Sequence, residues 1–305
     1  MATFIGLFLL FYLWHGLGIT VGYHRLLAHR AFRCNQFFEY FFVIGGYLAY
    51  QGPPIWWSAI HRGHHKYADT DLDPHTPRKG LRHALIGWAF DTKNYVRLGM
   101  GTMCKDLVKN RFYMMLEQGN SVVGGRPLCI IVNFAYRVLL LALFGWTVFW
   151  ANIAASVGVF MIPQLLNVVC HLPKLGYKNF VTDNDGVNVW WVGILGLGEG
   201  WHNNHHAYPG SSRSGLRAHE FDLSWQVIKL ARFFGWVTDV NEPAAMLRLI
   251  SPGNQTMDYA GQADDRSPVA SSALAANQRN NAPQAVAPLD RAPIAALSRP
   301  GKEQP

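Results

Sequence analysis

Thirteen histidines are spread unevenly along this 305-residue chain. His24 and His29 form an HxxxxH pair. His61, His64 and His65 form an HxxHH triplet, and His202, His205 and His206 form a second one. His171 stands four residues after Asn167. On an α-helix, positions i, i+3 and i+4 share a face, so each triplet aims three imidazoles the same way, and Asn167 and His171 also share a face. His24 and His29 lie roughly 140° apart on an ideal helix, so that pair needs a helix end or two different metals. Neutral imidazole suits Fe, Zn, Cu or Ni rather than Ca or Mg. A structural zinc takes four ligands, and nine candidate histidines suit two ions better than one. O2 chemistry needs an ion that changes oxidation state, which zinc does not. Two irons held mainly by imidazole are therefore expected. A lone histidine is more often structural than a ligand, but two triplets and a pair in one chain are not explained that way.

Other centres lose support. A ferritin-like carboxylate site needs paired Glu-x-x-His motifs, and the sequence holds one, Glu199-Gly-Trp-His202. HExxH and GxSxG do not occur, which removes the zincin and α/β-hydrolase readings.

The elements that must position these histidines are apolar. Half the residues are hydrophobic and 15% are charged, against about a quarter charged in ordinary soluble domains. The 11 Trp, 12 Tyr and 18 Phe suit membrane interfaces. The net charge of +8 is scattered with no basic stripe, which argues against a nucleic-acid partner. Cys34, Cys104, Cys129 and Cys170 form no CxxC pair, so a reduced compartment without disulfides is expected. The N-terminus is apolar from Phe4 without a basic leader or cleavage site, and reads as a retained membrane helix.

Residues 3–22 are long enough to span a bilayer. The apolar run 37–57 contains Glu39, a Gly-Gly pair and Pro53-Pro54, and reads as re-entrant or interfacial as readily as spanning. Residues 58–126 are polar and basic. Residues 127–170 fit a helical hairpin with its turn near Trp150–Asn152, and Arg137 within it snorkels or faces protein. Residues 171–250 are soluble again, with an amphipathic helix near 221–235. Each histidine group begins where an apolar run ends or lies in a soluble segment beyond one. After residue 252, Pro, Ala, Gln, Asn and Ser dominate and no aromatic follows Tyr259, so 252–305 is expected to be a disordered tail. The expected fold is an all-α integral membrane domain over 1–251. It has three spans, one re-entrant or interfacial helix, and a cytosolic helical cap holding the metals. The positive-inside rule puts Arg25, Arg30, Arg78, Lys79 and Arg82, and every histidine group, on the cytosolic side.

The stretches GLGITVGYHRLLAHR, HRGHHKYADTDLDPH and GEGWHNNHHAYP occur in that order. They resemble the membrane fatty-acyl desaturases of the stearoyl-CoA type, over about Leu10 to Asp239. The WHNNHHA wording is most similar to the plant, cyanobacterial and bacterial Δ9 branch. The resemblance implies metal ligands at His24, His29, His61, His64, His65, His171, His202, His205 and His206, with Asn167 reaching a metal through water. It implies that two irons use O2 to remove two hydrogens from adjacent methylenes, leaving water and a cis double bond, with no acid–base residue beyond the ligands. Gln51, Trp57 and Trp88 match residues lining a bent acyl tunnel, and Tyr12 matches a position near its closed end. Arg78 and Lys79 match a basic pair near the phosphates of coenzyme A. His75 and His83 match motif residues that are not ligands, and His15 and His219 have only structural expectations.

Departures accompany the resemblance. Ala59 and Ile60 stand where animal members carry an Arg-Asp pair that helps hold coenzyme A, which leaves both acyl-CoA and acyl-lipid substrates open. Pro163 and Gln164 replace a Thr-Trp pair that shapes the tunnel kink. The chain begins at what matches the second of the family's usual four spans. The tail offers no cytochrome b5 module, and no flavin or iron–sulfur motif occurs, so a separate ferredoxin or cytochrome b5-type donor is implied. A diiron membrane hydroxylase shares the histidine groups but yields an alcohol. A metal-binding membrane protein without catalysis would need neither O2 nor electrons.

Overall fold

Helix α1 (Ala2–Leu17) continues directly into a π-helical segment, Gly18–Ala28, and together they form one apolar rod. The computed structural model describes residues 1–91, 97–98, 100–117, 126–244 and 246. The tail expected after residue 252 lies outside these. The described chain is mostly helical, as the sequence leads one to expect, with one small ribbon in which β1 (Arg33–Cys34) pairs antiparallel with β2 (Val237–Thr238).

Helix α2 (Gln36–Tyr47) is capped by Asn35, whose Oδ1 accepts the Phe38 amide at 2.9 Å. It lies backbone to backbone on the π segment. A Cβ on Gly18 would meet Gly46 N at 2.2 Å, and one on Gly46 would meet Gly18 O at 2.9 Å. Only glycine permits that approach, the same small-residue device that membrane helices use. Twelve residues extend about 18 Å, too short for some 30 Å of hydrocarbon. The chain turns at 48–53 and returns through α3 (Pro54–Tyr67), which carries the first HxxHH. The run 37–57 is thus a helix, a turn and the start of a second helix. It begins beside β2, where the Asn35 amide donates to Trp236 O at 2.9 Å. It comes back to the histidines through α3.

The facing ends of α2 and α3 are buried and need partners. The carbonyls closing α2 accept hydrogen bonds from the long helix α4 (Arg126–Val169): Asn133 Nδ2 to Tyr47 O at 2.9 Å and Arg137 Nη2 to Leu48 O at 2.6 Å. Pro54 opens α3, and the next two amides, of Ile55 and Trp56, donate to Glu117 Oε1 at 2.7 and 3.0 Å. A carboxylate at a helix N-terminus and a cation at a C-terminus both complement the helix dipole. Arg137 therefore faces protein rather than snorkelling, and it also lies 4.1 Å over the Tyr50 ring.

Helix α4 reverses at Gly145, whose φ of 79° and ψ of −176° belong to glycine's territory. Hydrogen bonds join its two arms, Arg137 to Ser156 Oγ at 2.9 Å and Asn152 to Tyr136 OH at 3.2 Å. The expected hairpin is present, but its turn precedes Trp150–Asn152. Trp146 and Trp150 belong to the returning arm, exposed and with nearly parallel rings. The rod 2–28 and the helix 127–169 are the two stretches apolar and long enough to cross a membrane among the described residues. Beyond α4 come α5 (Trp190–Leu195), α6 (His202–Ala207, the second HxxHH) and α7 (Leu223–Phe233), the amphipathic helix expected near 221–235.

Candidate metal centre

His24 and His29 belong together because their backbone is not α-helical. The His29 amide donates to His24 O at 3.0 Å, a hydrogen bond over five residues that defines a π turn. The wider turn swings the two rings to 4.8 Å centroid separation. The sequence reading required a helix end or two metals for this pair. The π segment supplies a third solution, in which both rings face one centre.

The other candidate histidines arrive on α3, on α6 and just beyond the end of α4. They sort into two groups whose ligand nitrogens lie within 4.8 Å of one another: His24, His29, His61, His65 and His205 in one, and His64, His171, His202 and His206 in the other. Each HxxHH is thereby split. On α3, His61 and His65 serve the first group and His64 the second; on α6, His205 serves the first and His202 and His206 the second. In the first group Nε2 of His24 and His205 are 3.1 Å apart, those of His29 and His61 2.7 Å, and those of His65 and His205 2.8 Å. In the second, His171 and His202 are 2.9 Å apart, and His206 and His202 3.0 Å. Nitrogens about 2.1 Å from one metal stand at most about 4.2 Å apart, so each group needs only small adjustment to close on an ion.

The donor chemistry fits a first-row metal. Burial, then repulsion from neighbouring histidines, holds His61, His65, His202, His205 and His206 well below the usual histidine value. Neutral rings carry the lone pair that a metal takes. Three rings have that lone pair assigned to Nε2, because their Nδ1 faces a carboxylate. Glu199 Oε2 lies 2.5 Å from His24 Nδ1, both Asp73 oxygens lie 3.0 Å from His64 Nδ1, and Asp69 Oδ2 lies 3.0 Å from His171 Nδ1. A carboxylate only accepts here, so Nδ1 bears the proton and Nε2 is free to ligate.

These carboxylates are fixed in turn. Asp73 accepts the amides of Asp69 and His75, and Asp69 accepts that of Asp185. Burial alone would raise the Asp73 carboxyl, but His64 outweighs it and holds it well below the usual range. Glu199 pairs with Arg25, which also binds Asp222 at 3.0 Å. Arg25 is 1% exposed, so it is an internal strut and not one of the surface cations used to orient the chain. The sequence reading missed Asp69, Asp73 and Glu199 as partners. Glu199-x-x-His202 was considered only as an iron-carboxylate motif, and the acidic run after the first HxxHH was the signal for the other two.

A cavity lined by Tyr12, His24, His61, His64 and His202 touches both groups. Gln51, Trp57, Trp88 and Asn167 all line it. Asn167 makes no side-chain hydrogen bond among the described residues. Trp57 stacks on His61, its ring 5.1 Å away, and Trp88 donates to Gln164 Oε1 at 3.0 Å. Pro163 also lines the cavity. Having no N–H, it leaves Val159 O without its helical donor. Gln51 Nε2 reaches that carbonyl at 3.5 Å and Phe160 O at 3.2 Å. The Tyr12 hydroxyl donates to Leu195 O at 2.9 Å. Arg78 and Lys79 do not line the cavity. Arg78 binds Asp185 at 2.8 Å, and Lys79 Nζ donates to Asp73 O at 2.9 Å. His75 stacks on His64 at 4.3 Å, His15 joins Gly45 O and Asn152, and His219 meets the Tyr177 hydroxyl.

Apolar helices ending in two buried imidazole clusters, with a cavity reaching from one helix into both, define a membrane-associated oxidoreductase of the histidine-cluster type. The sequence matches the fatty acid desaturase family over residues 1–228. The chain belongs to that family and desaturates fatty acyl chains. It is 39% identical over 234 residues to an sn-1 stearoyl-lipid 9-desaturase of Anabaena variabilis, covering 76% of this chain and 81% of that protein. It is 38% identical over 239 residues to Delta-9 acyl-lipid desaturase 1 of Arabidopsis thaliana, covering 76% and 73%. It is also 38% identical over 230 residues to an acyl-CoA 5-desaturase of Anemone leveillei, covering 74% and 68%.

Proposed function

We propose that this protein introduces a cis Δ9 double bond into a saturated acyl chain carried on a membrane lipid. The observation that supports this reading is one cavity lined both by Tyr12 of α1 and by histidines of both imidazole groups. The two irons, when bound, would supply the O2 chemistry that removes the two hydrogens. Five histidines would hold one ion, and four histidines with Asn167 nearby the other.

The chain's own residues would do the rest. Trp57 and Trp88 press the acyl chain against the imidazoles and exclude water. Gln51, held by the Val159 carbonyl that Pro163 frees and by Phe160 O, fixes the bend. Asp69, Asp73 and Glu199 keep three ligand rings in the tautomer that presents Nε2. Electrons would come from a separate ferredoxin or cytochrome b5-type donor. The chain would cross the membrane three times, with the histidine groups on the cytosolic side.

A lipid-borne substrate is favoured because Ala59 and Ile60 stand where an Arg-Asp pair would help hold coenzyme A, and Lys79 is engaged by the Asp73 carbonyl. Relatives named for lipid-linked and for acyl-CoA substrates are similar to about the same degree, so the choice of headgroup rests on these residues. Expression in a desaturase-deficient host, followed by gas chromatography of fatty acids from separated lipid classes, tests this. A Δ9 product appearing first in glycerolipid is expected. Product confined to the acyl-CoA pool would refute the headgroup, a bond elsewhere the position, and a hydroxy acid the reaction.

A further inference from the structure

Helix α7 is apolar on two sides, and the fold uses one. Ser224, Trp225, Ile228 and Ala231 are buried, and the last three pack in a cluster with Val21, Phe38, Phe42 and Val237. On the other side Leu230 is 58% exposed and Phe233 82%; Phe234 and Trp236 follow at 57% and 45%. Single exposed apolar residues are ordinary, but a run of three aromatics and a leucine over seven positions is not. Exposed Lys229 and Arg232 flank this edge, and so does Arg33 on β1. Arg33 faces Asp239 at 3.4 Å with both side chains largely in solvent, a pair easily exchanged for another anion.

The edge continues into surfaces that the apolar helices present. The Asn35 amide donates to Trp236 O, and α2 then exposes Phe37, Phe41 and Ile44. The Trp14 indole donates to Phe41 O at 3.1 Å, tying α2 to α1, whose Leu9, Leu10 and Leu13 are exposed. Aromatic rings beside basic residues, next to a membrane-crossing surface, are what the headgroup layer of a bilayer takes.

We propose that Leu230, Phe233, Phe234 and Trp236 dock into the lipid monolayer on the histidine side, with Arg33, Lys229 and Arg232 meeting the phosphates of anionic lipids. The inner face of α7 carries the consequence. Ser224 Oγ lies 2.6 Å from Thr20 Oγ1, and Asp222, which caps α7, holds Arg25. Both partners lie on the π segment that bears His24. Docking therefore fixes the depth of the metal ligands relative to the lipid surface. The proposal rests on the membrane placement of α1 and α4, and not on the identity of the acyl substrate.

The test uses the full-length protein in nanodiscs. Cys34 is the partly accessible native thiol, the other three being buried, so Cys34→Ser removes background labelling. An environment-sensitive fluorophore is attached at Phe233→Cys, and in a second sample at Leu139→Cys on the exposed face of α4. Both labels should emit as in an apolar medium, and a shallow spin-labelled lipid should quench position 233 more than aqueous iodide does. Spin-labelled phosphatidylglycerol should quench it better than phosphatidylcholine. Lys229→Gln and Arg232→Gln should each weaken that preference by roughly fivefold. A water-like label at 233 with an apolar one at 139 overturns the docking alone. Water-like labels at both positions overturn the membrane placement with it. A label at 233 that is apolar yet indifferent to lipid charge in wild type and variants overturns the role of the basic flank.

Discussion

His24 and His29 face one centre across five residues because the His29 amide donates to the His24 carbonyl at 3.0 Å. The two rings can therefore share one ion. His24→Ala and His29→Ala should each lower bound iron from two atoms to about one per chain, by elemental analysis of purified protein. The His64→Ala variant should instead empty the other site. Distinct Mössbauer signals should disappear in the two cases, and an identical spectrum in both variants would show that the groups are not separate sites.

The carboxylates behind the rings should matter nearly as much as the rings. Asp69→Asn and Asp73→Asn should weaken iron in the four-histidine group, and Glu199→Gln in the five-histidine group. The loss should be on the order of 10- to 100-fold in affinity, read from iron release to a chelator. Wild-type release rates in all three would leave these residues with only a folding role. Glu199→Gln carries a second cost, since Arg25 loses one of two buried counter-charges. Arg25 keeps Asp222 as a counter-charge, so the melting temperature should fall, but by less than for Asp222→Asn combined with Glu199→Gln.

Tyr12 lines the cavity, with its ring against Gly158 and its hydroxyl on Leu195 O. Twelve residues of α-helix would separate it from His24 by about 18 Å, and the wider π turns shorten that. On the proposed function, an acyl chain reaching past the imidazole groups would meet this ring. Tyr12→Ala should shift products toward longer acyl chains in gas chromatography while iron content stays at the wild-type level. An unchanged chain-length profile with full activity would assign the ring to packing.

Labelling can fix which side holds the histidines. Cys104 is fully buried and will not report from either side, whereas Cys34 is partly open near β2. A membrane-impermeant maleimide on intact cells should miss Cys34. With Cys34→Ser in place, it should reach a cysteine put at Trp146, beside the Gly145 turn at the opposite end of the hairpin. The reverse pattern would invert the topology.

Much of this protein is legible in its residues one at a time. The histidine groups, the apolar runs, the hairpin in 127–170 and the helix near 221–235 are local patterns, and local patterns follow from periodicity and hydrophobicity. The family likeness rests on three short motifs of the same kind. Tertiary structure alone decided how the nine imidazoles divide. Each HxxHH is split between two centres, which depends on where α3 and α6 cross and not on spacing within either. The π segment is equally invisible in the local pattern, because α-helical spacing is the default and a π turn survives only where packing sustains it. Here that packing is glycine backbone against α2 and Arg25 buried between Glu199 and Asp222. Those two carboxylates come from positions 199 and 222, some 174 and 197 residues beyond the arginine. A single pass along the chain reads Arg25 as a surface charge; only the folded chain makes it a strut behind a metal ligand.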